Sequence, residues 1–302
     1  MADTNKEKLV EKLTNIADGF RTSRSLTETL SLDEMATLAA VPITSGENKL
    51  AQFVNNTITE ITAQDLEGIT NIRSYILANS AVETFEIPST IQTIERLAWT
   101  QANALSTVKY DGTTGDWASL PKNSNQDIPT AYYLPNLNTM WFRNSEGEYY
   151  MVDDTIEITP GTTIVEQFSF YQFTRPRNII IPSSVRKIGN SAFYQCSNVT
   201  NLTLNEGLEQ IAAYAFRLQA FQNVVVPNSV TNIETGVFRD NDSLNEVRIG
   251  NGIGRNDMSS NTFANCPNLT DIYIDKPEGS VSNAPWGATN ATVHWNTPLP
   301  TN

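Results

Sequence analysis

The chain has 302 residues, 39% of them hydrophobic, and a formal net charge of −13 with a pI near 4.5. A surface this acidic repels phosphate groups, which argues against nucleic acid and anionic lipid as partners. No run of about 18 apolar residues occurs, and residues 1–8 lack the apolar core of a signal peptide, so we expect no membrane insertion.

The first predicted element is an amphipathic helix over residues 4–20, where Thr4 and Glu7 have the spacing of a capping box. The apolar residues that follow at spacings of 4, 3 and 4 share one helical face: Leu9, Leu13, Ile16 and Phe20. A second capping box at Ser31 predicts another short helix, so we expect a helical segment at 1–50. Because such short helices are unstable alone, the stripe either caps the next part of the chain or associates with sister chains or a larger particle.

From residue 51 the sequence repeats. The most complete unit, 179–196, opens with three isoleucines that predict a strand, which Pro182 ends because proline cannot donate to a sheet. Aromatic residues that stand at one position of the unit recur at spacings of 23, 23 and 22: Phe170, Phe193, Phe216 and Phe238. The apolar spacing after Pro182 predicts a turn of helix or 3₁₀ helix. One unit cannot bury its own apolar side chains, so neighbouring units must stack.

These units resemble the BspA-like type of leucine-rich repeat, with the pattern L-x-x-I-x-I-P-x-S-V-x-x-I-G-x-x-A-F-x-x-C, and residues 176–243 match it best. The resemblance implies an α+β repeat fold: a solenoid with a continuous curved β-sheet on one side and turns or short helices on the other. We predict that the solenoid occupies 51–296, after the helical segment at 1–50. An aromatic-rich insert at about 106–150 interrupts it, and a cap at about 269–295 ends it.

Within the insert, Tyr110-Asp-Gly-Thr113 followed by Trp117 resembles the Y-x-G-T-x-x-x-W insert found in this repeat family. Further aromatic residues surround a predicted hairpin turn at 145–148. They include three candidate binding residues: Tyr132, Tyr133 and Trp141. Such aromatics either pack across paired strands or form a surface that stacks on sugars or on a partner protein.

The middle residue of each strand triplet is predicted to point away from the core, because side chains alternate along a strand. These residues form the predicted binding ladder: Glu86, Glu157, Ile180, Thr203, Val225, Arg248 and Tyr273. The ladder mixes charged, hydroxyl and apolar side chains. Exposed apolar residues at its middle are typical of an interface.

Residues that could carry chemistry are few. The only histidine, His294, is interpreted as a packing residue of the cap, and Cys196 and Cys266 lie three units apart, beyond disulfide reach at about 5 Å per strand. One histidine and two separated cysteines cannot form a zinc site. Asp153 and Glu157 are close in sequence, but a glycosidase needs two carboxylates facing a cleft. We predict no enzyme activity, no metal and no cofactor.

The sequence Gly250-Asn-Gly-Ile-Gly254 superficially resembles a phosphate-binding loop. It occupies the position of P-x-S-V in the repeat, and no lysine follows it. We therefore interpret it as an irregular turn of the solenoid rather than a nucleotide site.

The N-terminal pattern, with residues 12–18, Arg21 and residues 30–35, resembles a segment of tail and structural proteins of phages that infect Gram-positive bacteria. It implies a virion adhesin of the tail tip, baseplate or fibre, which binds other virion proteins through its helices and a host surface protein or glycan through its repeats. A homotrimer is one assembly that such helices allow. The alternatives are a BspA-like adhesin on a bacterial cell surface and an intracellular protein-interaction scaffold.

Overall fold

The computed structural model describes residues 58–66, 70–72, 76–129 and 139–300, together with Leu134 and Leu137. The predicted helices of the N-terminal segment lie outside these residues. The same is true of six candidate residues: Leu9, Leu13, Ile16, Phe20, Tyr132 and Tyr133.

Short strands account for nearly all the regular structure of the described chain. In chain order they are β1 (Glu60–Ile61), β2 (Asn71–Ile72), β3 (Thr84–Pro88), β4 (Thr93–Ile94), β5 (Thr107–Asp111), β6 (Thr139–Arg143), β7 (Tyr149–Met151), β8 (Thr155–Glu157), β9 (Ile164–Val165), β10 (Asn178–Ile181), β11 (Lys187–Ile188), β12 (Asn201–Leu204), β13 (Gln210–Ile211), β14 (Asn223–Val226), β15 (Asn232–Ile233), β16 (Glu246–Ile249), β17 (Asp271–Ile274) and β18 (Thr292–Trp295). One α-helix, α1 (Thr114–Ser119), and two 3₁₀ helices, Ala63–Leu66 and Asn125–Asp127, complete the described elements.

The strands form a front and a side of a β-solenoid. The front sheets have the orders β1-β3-β5-β6-β7, β8-β10-β12 and β14-β16-β17-β18, and the side sheets are β2-β4 and β9-β11-β13-β15. All pairs are parallel except the β6–β7 hairpin, which confirms the turn predicted at 145–148. In β10 and β12, Asn178 is paired with Asn201, one repeat further along the chain. Each unit therefore stacks on the next in register.

The predicted inward-facing positions form one continuous core. In β10, Ile179 and Ile181 are fully buried, whereas Ile180 between them is partly exposed. The repeated aromatics stack nearly parallel behind the strands, with successive ring centroids 5.3, 5.3, 5.8 and 5.7 Å apart: Phe170, Phe193, Phe216, Phe238 and Phe263. This stack confirms the repeat that the spacing of 23, 23 and 22 residues predicted.

The segment between each side strand and the next front strand is a chain of turns, so the predicted turns are confirmed and the alternative of a helix or 3₁₀ helix is wrong. Ile188 lies in β11, and Ser191 and Gln195 beyond it have positive φ angles of 53° and 56°. A non-glycine residue in this left-handed region costs roughly 1–2 kcal/mol. The conformation turns each N–H toward the next coil, where Ser191 donates to the carbonyl of Ala213 (2.9 Å) and Gln195 to that of Arg217 (2.9 Å). This second ladder of hydrogen bonds offsets the strain.

Two parts of the predicted fold class need correction. Helix is minimal in the described residues, so the α+β label does not suit a solenoid of strands and turns. None of the helices in the described residues is long and apolar enough to span a membrane. The front sheet is also not continuous, because β7 does not pair with β8, and a second break lies between β12 and β14. At this break Phe221 is fully buried at the position that Val199 and Leu244 occupy in the neighbouring coils. The coil that contains it is also one residue shorter than the coil before it.

The insert continues the front sheet. Strand β5 pairs in parallel with β3, and β6 pairs in parallel with β5. Between them, Thr113 caps α1 in a capping box with Asp116, and Trp117 on α1 is fully buried. The Trp117 indole N–H donates to the carbonyl of Ser169 (2.7 Å). Trp117 thereby extends the aromatic core across the insert.

A lysine is buried under α1. The Lys122 ammonium donates to the carbonyls of Trp117 and Leu120 and to the Ser169 hydroxyl (3.2 Å), and it lies 4.7 Å from the centre of the Trp117 ring. Burial lowers the pKa of Lys122 well below its ordinary value. These contacts satisfy the ammonium and fix α1 on the following coil.

Candidate binding surface

The middle residues of the front strands form a row on the outer face of the sheets, here called the front row. Strand pairing places its members next to one another within each sheet. They are Glu86, Lys109 and Trp141 in the first sheet, Glu157, Ile180 and Thr203 in the second, and Val225, Arg248, Tyr273 and His294 in the third. The structure therefore brings together the seven predicted ladder residues and Trp141.

The N-terminal end of the front row is a charged and aromatic cluster. Lys109 Nζ lies 3.0 Å from Glu86 Oε1 and 5.3 Å from the centre of the Tyr149 ring. The Arg143 guanidinium covers the same ring at 4.2 Å and forms an ion pair with Asp111. Burial, together with the Glu86 and Asp111 carboxylates, raises the pKa of Tyr149 to about 12. The cluster thus holds two cations against one neutral phenol ring.

The middle of the front row is uncharged. Val225 is 43% exposed, Thr203 is also exposed, and Ile180 is partly exposed. Beside them runs an amide row in which the Asn201 side chain donates to that of Asn178 (2.8 Å). This region offers an apolar contact bordered by amides.

The C-terminal end of the front row is a stack of three side chains. The Arg248 guanidinium lies 4.3 Å from the centre of the Tyr273 ring, and the Tyr273 and His294 rings are stacked with centroids 4.4 Å apart. Glu246 accepts a hydrogen bond from Arg248 Nε (2.7 Å), and Asp271 Oδ1 lies 2.8 Å from His294 Nε2. The hydrogen bond with His294 is the main cause of a lowered pKa at Asp271.

His294 and Lys109 were missed as members of the front row. His294 was interpreted as a packing residue of the cap; it does pack on Tyr273, but on the outer face, where its side chain is 37% exposed. The signal was present in both cases, because Val108-Lys109-Tyr110 and Val293-His294-Trp295 have the same alternation as the regular triplets. The segments containing them had been assigned to an insert and a cap.

A second, partly exposed aromatic group lies on the turns and was also missed. The Tyr171 and Tyr194 rings stack at 4.8 Å, and the Arg217 guanidinium lies 5.5 Å from the Tyr194 ring. Arg217 pairs with Asp240 at 2.6 Å. Burial alone would raise the pKa of Asp240, but hydrogen bonds from Asn265 and Arg217 keep it below the ordinary value. This group links successive coils on the side opposite to their strands.

The remaining candidate residues are not brought into a chemical site. Cys196 and Cys266 are free, buried thiols that donate to carbonyls of the core, and burial raises the pKa of Cys266 to about 11. Asp153 and Glu157 are exposed. Within the described residues, no group of three or more histidine, cysteine or carboxylate side chains is placed to hold a metal ion.

Comparison with known proteins identifies the repeat. The family model for the BspA type leucine rich repeat region matches residues 47–118 and 155–284 in six copies. No curated protein sequence matches the chain significantly.

Several solved structures are similar. A leucine rich cell surface protein from Faecalibacterium prausnitzii is 17% identical, with a TM-score of 0.49 over 80% of this chain and 65% of that protein. The pneumococcal vaccine antigen PcpA is 12% identical, with a TM-score of 0.46 over 80% of this chain and 78% of the antigen. A leucine-rich repeat protein from Eubacterium ventriosum is 16% identical, with a TM-score of 0.42, and this chain covers 54% of its length.

Proposed function

Because this chain belongs to the BspA type leucine-rich-repeat family, we propose that it is a non-enzymatic adhesin of a bacterial cell surface, which binds a protein or glycan of another surface through its front row. A leucine-rich-repeat solenoid presents an extended face rather than a closed cleft, which suits an interaction scaffold. The observation that carries the proposal is the front row itself. Its side chains lie on the outer face and do not pack in the core, and strand pairing holds them at regular intervals.

The chemistry of the front row resembles that of a protein-binding surface. Aromatic residues and arginine are enriched in interfaces and are often the residues that contribute most to affinity. Both are present in the Arg248–Tyr273 contact (4.3 Å) and in the Arg143–Tyr149 contact (4.2 Å). Val225 lies between these two clusters, and burial of its exposed apolar surface on binding is favourable. We therefore expect Val225 to lie at the centre of the interface with the bound partner.

A pair of matched variants tests this function. Val225→Glu places a charge in the front row, whereas Ile164→Glu makes a comparable change at a residue that is similarly exposed (40%) but lies on the side strand β9. We expect Val225→Glu to weaken binding of the labelled full chain to intact epithelial cells by about tenfold or more, because an unpaired charge would be buried. Ile164→Glu should bind like the wild type in flow cytometry. Equal effects of the two variants, or no binding by the wild type, would contradict the proposal.

A virion adhesin is the second candidate, favoured by the N-terminal pattern that resembles phage tail proteins. In that setting the stripe beginning at Leu9 would bind other virion proteins or form a homotrimer, and the front row would face the host. The test is the solution mass of the full chain beside a shortened chain that begins near Leu50. A trimer that becomes a monomer on shortening supports an assembly role, and two monomers argue against it.

A further inference from the structure

A shallow cavity of about 360 Å³, largely open to solvent, lies on the side of the solenoid next to β15 at the end of a side sheet. Its walls come from three consecutive coils. The polar wall residues are Asn232, Glu234, Thr235, Asn256, Asp257 and Ser259. Ala213 and Ile233 complete the lining and make part of its surface apolar. This volume falls within the range of ligand sites in proteins, roughly 300–1,000 Å³.

The cavity exists because one coil is longer than its neighbours. Met258 forms a bridge with Ile233 and so occupies the side-strand position of its coil. Ile233 is six positions after Pro227 (233 − 227), but Met258 is eight positions after Gly250 (258 − 250). The start of this longer loop is fixed, since a Cβ on Gly252 would lie 2.2 Å from the carbonyl oxygen of Asn228. The two extra residues therefore fall beyond Gly252, where Asn256 and Asp257 form the outer wall.

Several polar groups in the cavity remain available to a ligand. Glu234 uses Oε2 to accept from the Ala213 N–H (2.9 Å), which leaves Oε1 free. Asn256 accepts from the Ser282 hydroxyl through Oδ1 (3.0 Å), which leaves its Nδ2 donors. The side chains of Asn232 and Asp257 form no hydrogen bond with any other residue that the structure describes. The cavity is thus rich in acceptors, with a few amide donors.

The charges and groups of the cavity select the class of ligand. None of the lining residues is cationic, so phosphate, sulfate and carboxylate ligands are disfavoured by Glu234 and Asp257. The lining has no aromatic wall for a large apolar ligand. A sugar would supply several hydroxyl donors to the carboxylates, and its C–H face would contact the apolar surface of Ala213 and Ile233.

We propose that this cavity binds a neutral saccharide of one or two hexose rings. The proposal rests on the surface-binding function in one respect, because the natural source of the sugar would be a cell-surface glycan. The cavity lies to the side of the front row, so the two surfaces can act independently.

Titration of the ¹⁵N-labelled full chain with lactose, maltose and N,N′-diacetylchitobiose tests the proposal. We expect at least one of these neutral disaccharides to shift the amide signals of Ala213, Thr235 and Ser259. Asp257→Asn and Glu234→Gln should each raise the Kd by about tenfold or more, because a hydrogen bond to a carboxylate is stronger than one to an amide. Asp242→Asn removes an exposed carboxylate outside the cavity and should leave the Kd unchanged.

Each other outcome would overturn the proposal: no shift of the three amides with any disaccharide, shifts only with 3′-sialyllactose or calcium chloride, or a Kd that neither cavity variant changes. Amide spectra of both variants establish that they are folded. The Val225→Glu variant should retain disaccharide binding. Cell binding by this variant reports on the adhesin function alone, and its disaccharide binding reports on the cavity alone. Failure of one proposal is therefore distinguished from failure of the other.

Discussion

At the scale of single residues, a hydrogen bond between two side chains orients the end of the front row in the third front sheet. Asp271 holds His294 by a hydrogen bond of 2.8 Å, and His294 in turn stacks on Tyr273. The carboxylate thus orients the last ring of the stack. The same hydrogen bond favours the ionised form of Asp271, because the ionised carboxylate is the better acceptor.

The link between these two residues can be measured as a pKa. We expect His294→Ala to raise the pKa of Asp271 toward the ordinary aspartate value, because the largest cause of its lowered pKa is the His294 hydrogen bond. Since the folded-state pKa is the lower one, the pair contributes stability above the ordinary aspartate pKa and loses it as pH falls through the folded-state pKa. Carboxyl ¹³C chemical shifts during acid titration report this pKa directly.

A matched variant shows whether the effect is specific to the histidine. Thr270→Ala removes the other hydrogen bond to the same carboxylate (2.7 Å), which is the second cause of its lowered pKa, and should raise the pKa of Asp271 by less than His294→Ala does. An unchanged pKa in His294→Ala would contradict the orienting role of Asp271.

At the scale of structural elements, the turns are held by close contact between one coil and the next. Gly207 and Gly147 both have positive φ angles, 109° and 82°. A Cβ at Gly207 would lie 2.3 Å from the carbonyl oxygen of Ser183 in the preceding coil, whereas a Cβ at Gly147 in the hairpin would meet nothing within 4 Å. A substitution at Gly147 therefore tests backbone strain alone, whereas one at Gly207 tests backbone strain together with steric contact between coils.

Alanine at these two positions should have different costs. Gly147→Ala introduces strain alone and should lower the free energy of unfolding by about 1 kcal/mol. Gly207→Ala adds a backbone clash and should cost roughly 1–3 kcal/mol more. Urea denaturation of both variants beside the wild type measures the difference. Equal costs would mean that the coils can separate locally without loss of packing.

The elements differ in how well the sequence predicted them. Strand triplets such as Ile179–Ile181 and the Phe193 stack followed from alternation and from the repeat length, because burial enforces both patterns in every unit. The turns did not, since apolar residues at Ile188 and Phe193 satisfy a short helix and a chain of turns equally well. What decides between them is the set of hydrogen bonds from residues such as Ser191 to the next coil, which no pattern within one unit reveals.

The candidate site was predicted about as well as the strands that carry it. Regular triplets yielded Arg248 and Tyr273, and alternation alone placed them on the outer face. The cavity beside Asp257 was not predicted, because it results from a difference in length between neighbouring coils rather than from a motif. Its one trace in the sequence was the departure from the repeat after Gly250.

At the scale of the whole molecule, the described solenoid has three front sheets joined through a shared core. Strands β10 and β16 are each paired on both sides, but β14 is paired on one side only, because its neighbour β12 does not pair with it. In a solenoid, stability is largely a sum of contacts between neighbouring coils. The front strands lack a ladder of backbone hydrogen bonds at two junctions, between β7 and β8 and between β12 and β14 at Phe221, and the side pair β13–β15 bridges the second.

Hydrogen exchange tests the boundary between β12 and β14. We expect amides in β12 and β14 to exchange faster on average than amides in β10 and β16, because the strand boundary lacks one ladder of hydrogen bonds. The measurement is amide exchange of the native chain followed by NMR or mass spectrometry. Uniform protection across the four strands would contradict a weak junction at Phe221.

The in-register pairing of the front strands has a consequence for how such a protein changes over generations. Residues one repeat apart, such as Ile180 and Thr203, are 23 codons apart in the gene, yet they are adjacent on the surface. Their neighbours in the triplets are committed to the core, whereas the middle codon is free to drift. Selection can therefore rewrite a contiguous recognition face through isolated single-codon changes, while the fold beneath it is inherited intact.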